Sequence, residues 1–128
     1  FRLEASHPLR HTATQIKCDF LGYIKRLASL HSIEICGLIC NNSLFFVKNS
    51  SLSQKDTFYI DPLKYIEVSR REKIDFCFHS HPQSTCKPSL SDIEFSDNSL
   101  IPFLVFSPSE AKFALYDPDA QETIYFLI

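Results

Sequence analysis

Ile16, Phe20, Tyr23, Ile24, Leu27 and Leu30 recur at the 3.6-residue period of a helix, with polar and charged side chains between them. That pattern predicts an amphipathic helix over residues 13–30, with Thr12 or Thr14 as its cap. Next comes Ile33-Glu34-Ile35-Cys36-Gly37-Leu38-Ile39-Cys40, apolar except for one acid near its start, which reads as a buried strand. Asn41-Asn42-Ser43 signals a tight turn, so residues 44–48 return as a hairpin partner. Residues 49–56 are polar and loop-like, and residues 58–60 form a short strand. Asp61-Pro62 opens a second helix, with proline at the first helical position. It runs to about Arg71, with Leu63, Ile66 and Tyr65 facing inward.

The remainder alternates short apolar runs with turn signals. Asp75-Phe76-Cys77-Phe78 predicts a strand running directly into His79. A short helix is expected over residues 91–97. Three strands follow at 102–107, 111–116 and 123–127, punctuated by Pro108-Ser109 and Asp117-Pro118-Asp119. The order is that of an α/β protein: a mixed central β-sheet flanked by a long N-terminal helix, a second helix and a short third one. The chain shows no repeats, low-complexity tracts or linker, so residues 1–128 read as a single domain of ordinary size.

Composition narrows the classes. Hydrophobic residues make up 45% of the chain, and twelve Phe with no Trp or Met predict a Phe-rich interior. A formal net charge of −2 argues against nucleic-acid binding, which calls for a basic stripe. No apolar run approaches the ~20 residues of a membrane span, and no secretory signal is visible. Five cysteines (Cys18, Cys36, Cys40, Cys77, Cys86) are an odd number without a disulfide framework, as expected of a reducing, cytoplasmic compartment. Cys36 and Cys40 do not read as a metal pair, because four strand residues span about 13 Å. His7, His11 and His31 read as surface or packing residues.

The chemistry concentrates in His79-Ser80-His81-Pro82, followed by Ser89 and Asp92: H-x-H-x7-S-x2-D. Residues i and i+2 of a strand point the same way with Cα atoms roughly 6.5–7 Å apart, so two imidazoles can converge on one ion while Ser80 faces the opposite side. Pro82 ends the ladder. Two imidazoles and a carboxylate supply the three protein ligands typical of a catalytic zinc, which keeps one position open. A second reading exists for Ser89-Leu90-Ser91-Asp92: the pair forms a capping box at a helix start. Glu34 likewise has two readings. It sits in water at the mouth of its strand, or it is the carboxylate outside the ligand set that hydrolysis needs for proton transfer. Cys86, in the loop between the ligands, is either a plain loop thiol or, with that loop folded over a metal, a thiolate for the open position.

Glu34 in E-x-C-G-L-x, joined to H-S-H-P-x6-S-x2-D, resembles the JAMM/MPN+ zinc metallopeptidases. The resemblance runs from the first helix to about Tyr116, and Phe58-Tyr59-Ile60-Asp61-Pro62 is similar to the family's link between early strands and second helix. It implies His79, His81 and Asp92 as zinc ligands, Glu34 as general acid/base acting on a zinc-bound water, and Ser89 as oxyanion donor. It also implies hydrolysis of a peptide or isopeptide bond. The complete motif separates the chain from the MPN-minus scaffolds, although a non-catalytic scaffold retaining its zinc remains the alternative. A zinc deaminase would show H-x-E and P-C-x-x-C, and neither occurs. Residues 49–57 and 97–101 are too short for the insertions with which eukaryotic deubiquitinases grip ubiquitin. The compact core resembles prokaryotic and phage tail-assembly forms, which implies as substrate a ubiquitin-like protein tail or a phage tail protein. Specificity would then come from a partner protein or neighbouring domain, in the cytoplasm or on a virion.

Overall fold

The computed structural model describes residues 18–31, 34–47 and 62–128. Its elements in chain order are α1 (Cys18–Ser29), β1 (Cys36–Cys40), β2 (Ser43–Val47), α2 (Pro62–Arg71), β3 (Phe76–Ser80), α3 (Leu90–Ser99), β4 (Phe103–Ser107), β5 (Lys112–Asp117) and β6 (Glu122–Phe126). The strands form one six-stranded sheet in the order β2-β1-β3-β4-β5-β6. Every neighbouring pair is antiparallel except β3–β4, so the sheet is mixed. The expected single α/β domain with three helices is what these residues form.

Four central strands are buried on both faces, which is why they read as continuous apolar runs. Side-chain alternation divides them into two cores. Ile35, Ile39, Phe76, Phe78, Leu104, Phe106, Phe113 and Leu115 pack with Leu21, Ile24 and Ala28 of α1. Cys36, Leu38, Cys40, Cys77, Phe103, Val105, Ala114 and Tyr116 pack on the other face with Val68 of α2, joined by Ile93 and Phe95 of α3. The interior is Phe-rich as expected: Phe76, Phe78, Phe103, Phe106 and Phe113 are fully buried.

The expected hairpin turn lies at Asn41-Asn42, and Ser43, the third residue of the turn signal, already belongs to β2. Asn41 and Asn42 both have positive φ (49° and 58°), the left-handed pair that a tight hairpin with right-twisted strands requires. Gly37 is needed for a close approach beside it. A Cβ there would lie 2.4 Å from Leu44 Cδ1 and 3.1 Å from the Phe45 carbonyl oxygen.

Helix faces needed correction. Of the expected α1 stripe, Ile24 is buried and Phe20 and Leu27 pack partly against the core. Tyr23 and Leu30 are exposed, and the buried line is Leu21, Ile24 and Ala28. The apolar period was assigned to the bulkiest residues, whereas the sheet accepts the face that includes small Ala28. In α2, Leu63 and Ile66 are exposed. Val68 is the buried residue, with Tyr65 packed beside it as expected. Strand β1 begins at Cys36, two residues after Glu34. The expected start of α1 with its Thr12 or Thr14 cap, the loop at 49–56 and the strand at 58–60 lie outside the described residues, as do His7 and His11.

Candidate metal centre

Strand β3 delivers His79 onto the α3 face of the sheet, and the chain just beyond its end delivers His81. His81 N–H still donates to the Phe106 carbonyl (2.9 Å), so the residue is anchored to β4 although it lies past the strand. Ser80 lies on the opposite face by alternation and ties β3 to β1. Its N–H donates to the Ile35 carbonyl (2.9 Å), and its Oγ accepts from Ile35 N–H (2.8 Å). That double tie also fixes the residue just before Ile35, namely Glu34.

Helix α3 delivers the third group. Ser89 is its N-cap, and the capping box is fully formed: Asp92 N–H donates to Ser89 Oγ (3.1 Å), and Ser89 N–H donates to Asp92 Oδ2 (2.9 Å). The same Asp92 carboxylate meets both imidazoles, with Oδ1 3.2 Å from His79 Nδ1 and Oδ2 3.4 Å from His81 Nε2. The capping box is thus formed, and the carboxylate that completes it also faces both imidazoles. His79, His81 and Asp92 are all buried, and one ligand atom from each lies within 4.8 Å of the others.

Glu34 completes the cluster. Its Oε2 lies 2.8 Å from His79 Nε2, and its side chain is only 4% exposed, so it does not sit in water at the strand mouth. The His79 ring is thus held between two carboxylates, packed edge-on to His81 with centroids 5.0 Å apart and to Phe103 at 6.4 Å. Burial alone would lower the His79 pKa. Hydrogen bonds to Asp92, Cys36 and Glu34 outweigh it and hold the ring well above the usual histidine range. For Asp92, burial alone would raise the pKa, but the bonds to His79 and His81 and from Ser89 N–H hold the carboxyl well below the usual range.

Electrostatics supports a cation here. Two buried carboxylates converging on two imidazoles are costly unless compensated, and the site meets part of that cost by keeping a proton on His79. A divalent ion would compensate the pair fully. The donor set, two imidazole nitrogens and one carboxylate, is one zinc accepts with a coordination position to spare. His81 is prepared for that role, because its Nδ1 lies 2.8 Å from the Thr85 carbonyl. A carbonyl only accepts, so Nδ1 carries the hydrogen, and Nε2 is the nitrogen turned toward Asp92 and the cluster. Residue type and spacing pointed to His79, His81 and Asp92, but the Thr85 contact had no side-chain signal from which to be read.

The loop between His81 and Ser89 is pinned from the β4–β5 side. Ser107 Oγ donates to the Ser84 carbonyl (2.6 Å), and Cys86 N–H donates to Glu110 Oε1 (2.7 Å). Cys86 is buried at 2% exposure and is not among the converging donors. Burial, reinforced by the Glu110 carboxylate, raises its thiol to about 11. Cys86 therefore packs as a buried loop thiol, the first of its two readings. All five cysteines are free, as expected. His31 is exposed, with Nδ1 2.9 Å from the Leu27 carbonyl, and takes no part in the site.

No protein-family model matches the chain, and no curated protein matches it. Solved structures do. The solution structure of a protein from Desulfitobacterium hafniense is 19% identical and aligns over 88% of this chain and 89% of that one, with a TM-score of 0.63. A solution structure from Salinibacter ruber is 16% identical, covers 90% of each chain and has a TM-score of 0.53. The likeness is one of fold. No helix among the described residues is long and apolar enough to cross a membrane.

Proposed function

We propose that this chain is a zinc-dependent metallopeptidase of the JAMM/MPN+ type that hydrolyses a peptide or isopeptide bond. The observation that carries the reading is a fourth, non-ligand group at the cluster. Glu34, a buried carboxylate from a different element, is held 2.8 Å from a ligand imidazole. A purely structural zinc site is normally closed by four protein ligands, whereas three donors converge here with an acid set beside them. His79, His81 and Asp92 would hold the ion. Bound there, zinc would supply Lewis-acid activation of the attacking water and of the carbonyl.

The chain's own residues supply the rest. Glu34 accepts the proton of the attacking water at its carboxylate and returns it to the departing amine, and its burial keeps bulk water from competing for that proton. Ser89 Oγ accepts from Asp92 N–H, so its own proton is free to point elsewhere: to Ser91 Oγ at 3.1 Å, or to the developing oxyanion. Loss of one such donor typically costs on the order of 3 kcal/mol of barrier.

The substrate we infer is the extended tail of a small ubiquitin-like protein or a phage tail component. The compactness of the domain supports this, as α3 passes into β4 through the short stretch 100–102. Specificity then rests on a partner protein or a neighbouring domain, in the cytoplasm or on a virion, with no role for nucleic acid or membrane. The deciding experiment is Glu34→Gln. Zinc should stay bound while turnover of a tail-fusion substrate falls by roughly 10²–10⁴. Full activity in that variant would refute the mechanism, and a wild type that binds zinc yet cleaves no tail substrate would favour a non-catalytic scaffold.

A further inference from the structure

We propose that Cys36 is a positioning residue for the metal ligand His79, so that Glu34 and Cys36 together grip one imidazole from a single strand segment. This deepens the metallopeptidase reading and rests on it. The register carries the argument. In the antiparallel β1–β3 pair, Cys36 stands directly opposite His79. Ser80 N–H donates to the Ile35 carbonyl, so 35–80 is a hydrogen-bonded pair and 36–79 is the next one along. Such neighbours are non-hydrogen-bonded pairs, whose Cα atoms approach to about 4.5 Å and whose side chains sit closest. The Cys36 side chain therefore stands against His79 from the neighbouring strand, and the two residues are 2% and 1% exposed. Glu34 precedes Cys36 by two positions, the spacing that puts strand side chains on one face. Glu34 meets Nε2 and Asp92 meets Nδ1, while the thiol bears on the same ring from the neighbouring strand. A ring held on three sides cannot swing away when an ion competes with Asp92 and Glu34 for its nitrogens.

Groups that orient a ligand histidine typically account for 10–100-fold in metal affinity. Cys36→Val stays apolar and keeps the β-strand preference but removes the sulfur, whereas Cys36→Ser keeps a polar group of similar size. Zinc affinity measured by chelator competition should fall 10–100-fold in Cys36→Val and recover in large part in Cys36→Ser. The visible spectrum of the cobalt(II)-loaded Cys36→Val protein should shift as the ligand field loosens. Cys40→Ala is the control, an equally buried thiol in the same core that faces Ser43 across the hairpin. In metal-free protein, NOEs between the His79 ring protons and the Cys36 β-protons test the contact itself. Wild-type zinc affinity in Cys36→Val, or an equal loss in Cys40→Ala, would overturn the assignment. Absence of zinc uptake by the wild type would instead remove the metal reading on which it rests.

Discussion

Replacing Asp92 tests the centre most severely, because one carboxylate serves both a helix cap and a buried ion pair. Asp92→Ala removes the acceptor of Ser89 N–H (2.9 Å) and the partner of both imidazoles (3.2 and 3.4 Å) from a side chain with 0% exposure. Loss of the carboxylate's half of the capping box, with Ser89 still in place as the cap, costs up to about 1 kcal/mol. Stranding one partner of a buried ion pair costs about 3–5 kcal/mol. The metal-free Asp92→Ala protein should therefore be destabilised by roughly 3–6 kcal/mol, a large share of the ~5–15 kcal/mol of an ordinary domain. Asp92→Asn separates the contributions. Its amide oxygen still caps α3 and its shape is kept, so the loss should shrink to the charged part of the interaction, about 1.5–3 kcal/mol. Urea denaturation followed by circular dichroism at pH 6 with chelator present measures both. Neither variant should be stabilised by zinc, whereas the wild type should be. An Asp92→Ala protein within 1 kcal/mol of wild type would show that cap and ion pair are not coupled through this side chain, and the electrostatic account of the site would fail.

Two further outcomes follow from the same geometry. Because the folded pKa of His79 is raised, its contribution to the metal-free fold is complete below the unfolded value near 6.5 and is lost as pH climbs through the folded one. Asp92, whose pKa is lowered, contributes above about 4 and loses that contribution as pH falls through its folded value. Metal-free protein should thus weaken toward denaturant as pH rises above neutrality, and zinc uptake at pH 7 should expel a proton. Calorimetry in buffers of different ionisation enthalpy reads that proton directly, and a buffer-independent heat would contradict it. Cys86, with its thiol raised to about 11 and its backbone tied to Glu110, should react slowly with iodoacetamide at pH 8, and Cys86→Ser should leave basal turnover unchanged. A several-fold rise in turnover would restore the idea that the thiol restrains the site.

Strand positions were legible because burial on both faces turns them into short apolar runs bounded by Asn, Pro and Asp, and the sheet accepts such runs with little ambiguity. Helix orientation was less so. In α2 the period admits Leu63 and Ile66 or Val68 with Tyr65, and which face turns inward depends on where the sheet leaves room. The sheet takes Val68 and leaves the two larger residues exposed. In α1, Ala28 carries almost no hydrophobic weight in a sequence pattern, yet it is buried where the helix lies close to the sheet. Size, rather than polarity, was the missing variable.

At the site, the two readings of Ser89-x-x-Asp92 were treated as competitors because each explains the spacing alone. In the structure one carboxylate meets both the Ser89 N–H and the two imidazoles. The capping box fixes the carboxylate at the third helical position, with Oδ2 on Ser89 N–H. That anchor leaves the lone pairs that face His79 and His81 in a set direction, and the N-terminal end of α3 favours the charged form of the acid. A helix start is thus a means of holding an acid with little freedom where an ion needs it, without adding an element to the fold. The ladder between β1 and β3 does the corresponding work for Glu34, since the double tie between Ile35 and Ser80 locks the residue just before the strand begins. The placement of Glu34 comes from hydrogen bonds between segments 45 residues apart. Single-residue patterns identify which groups carry the chemistry, but they leave open which backbone bonds will hold those groups still.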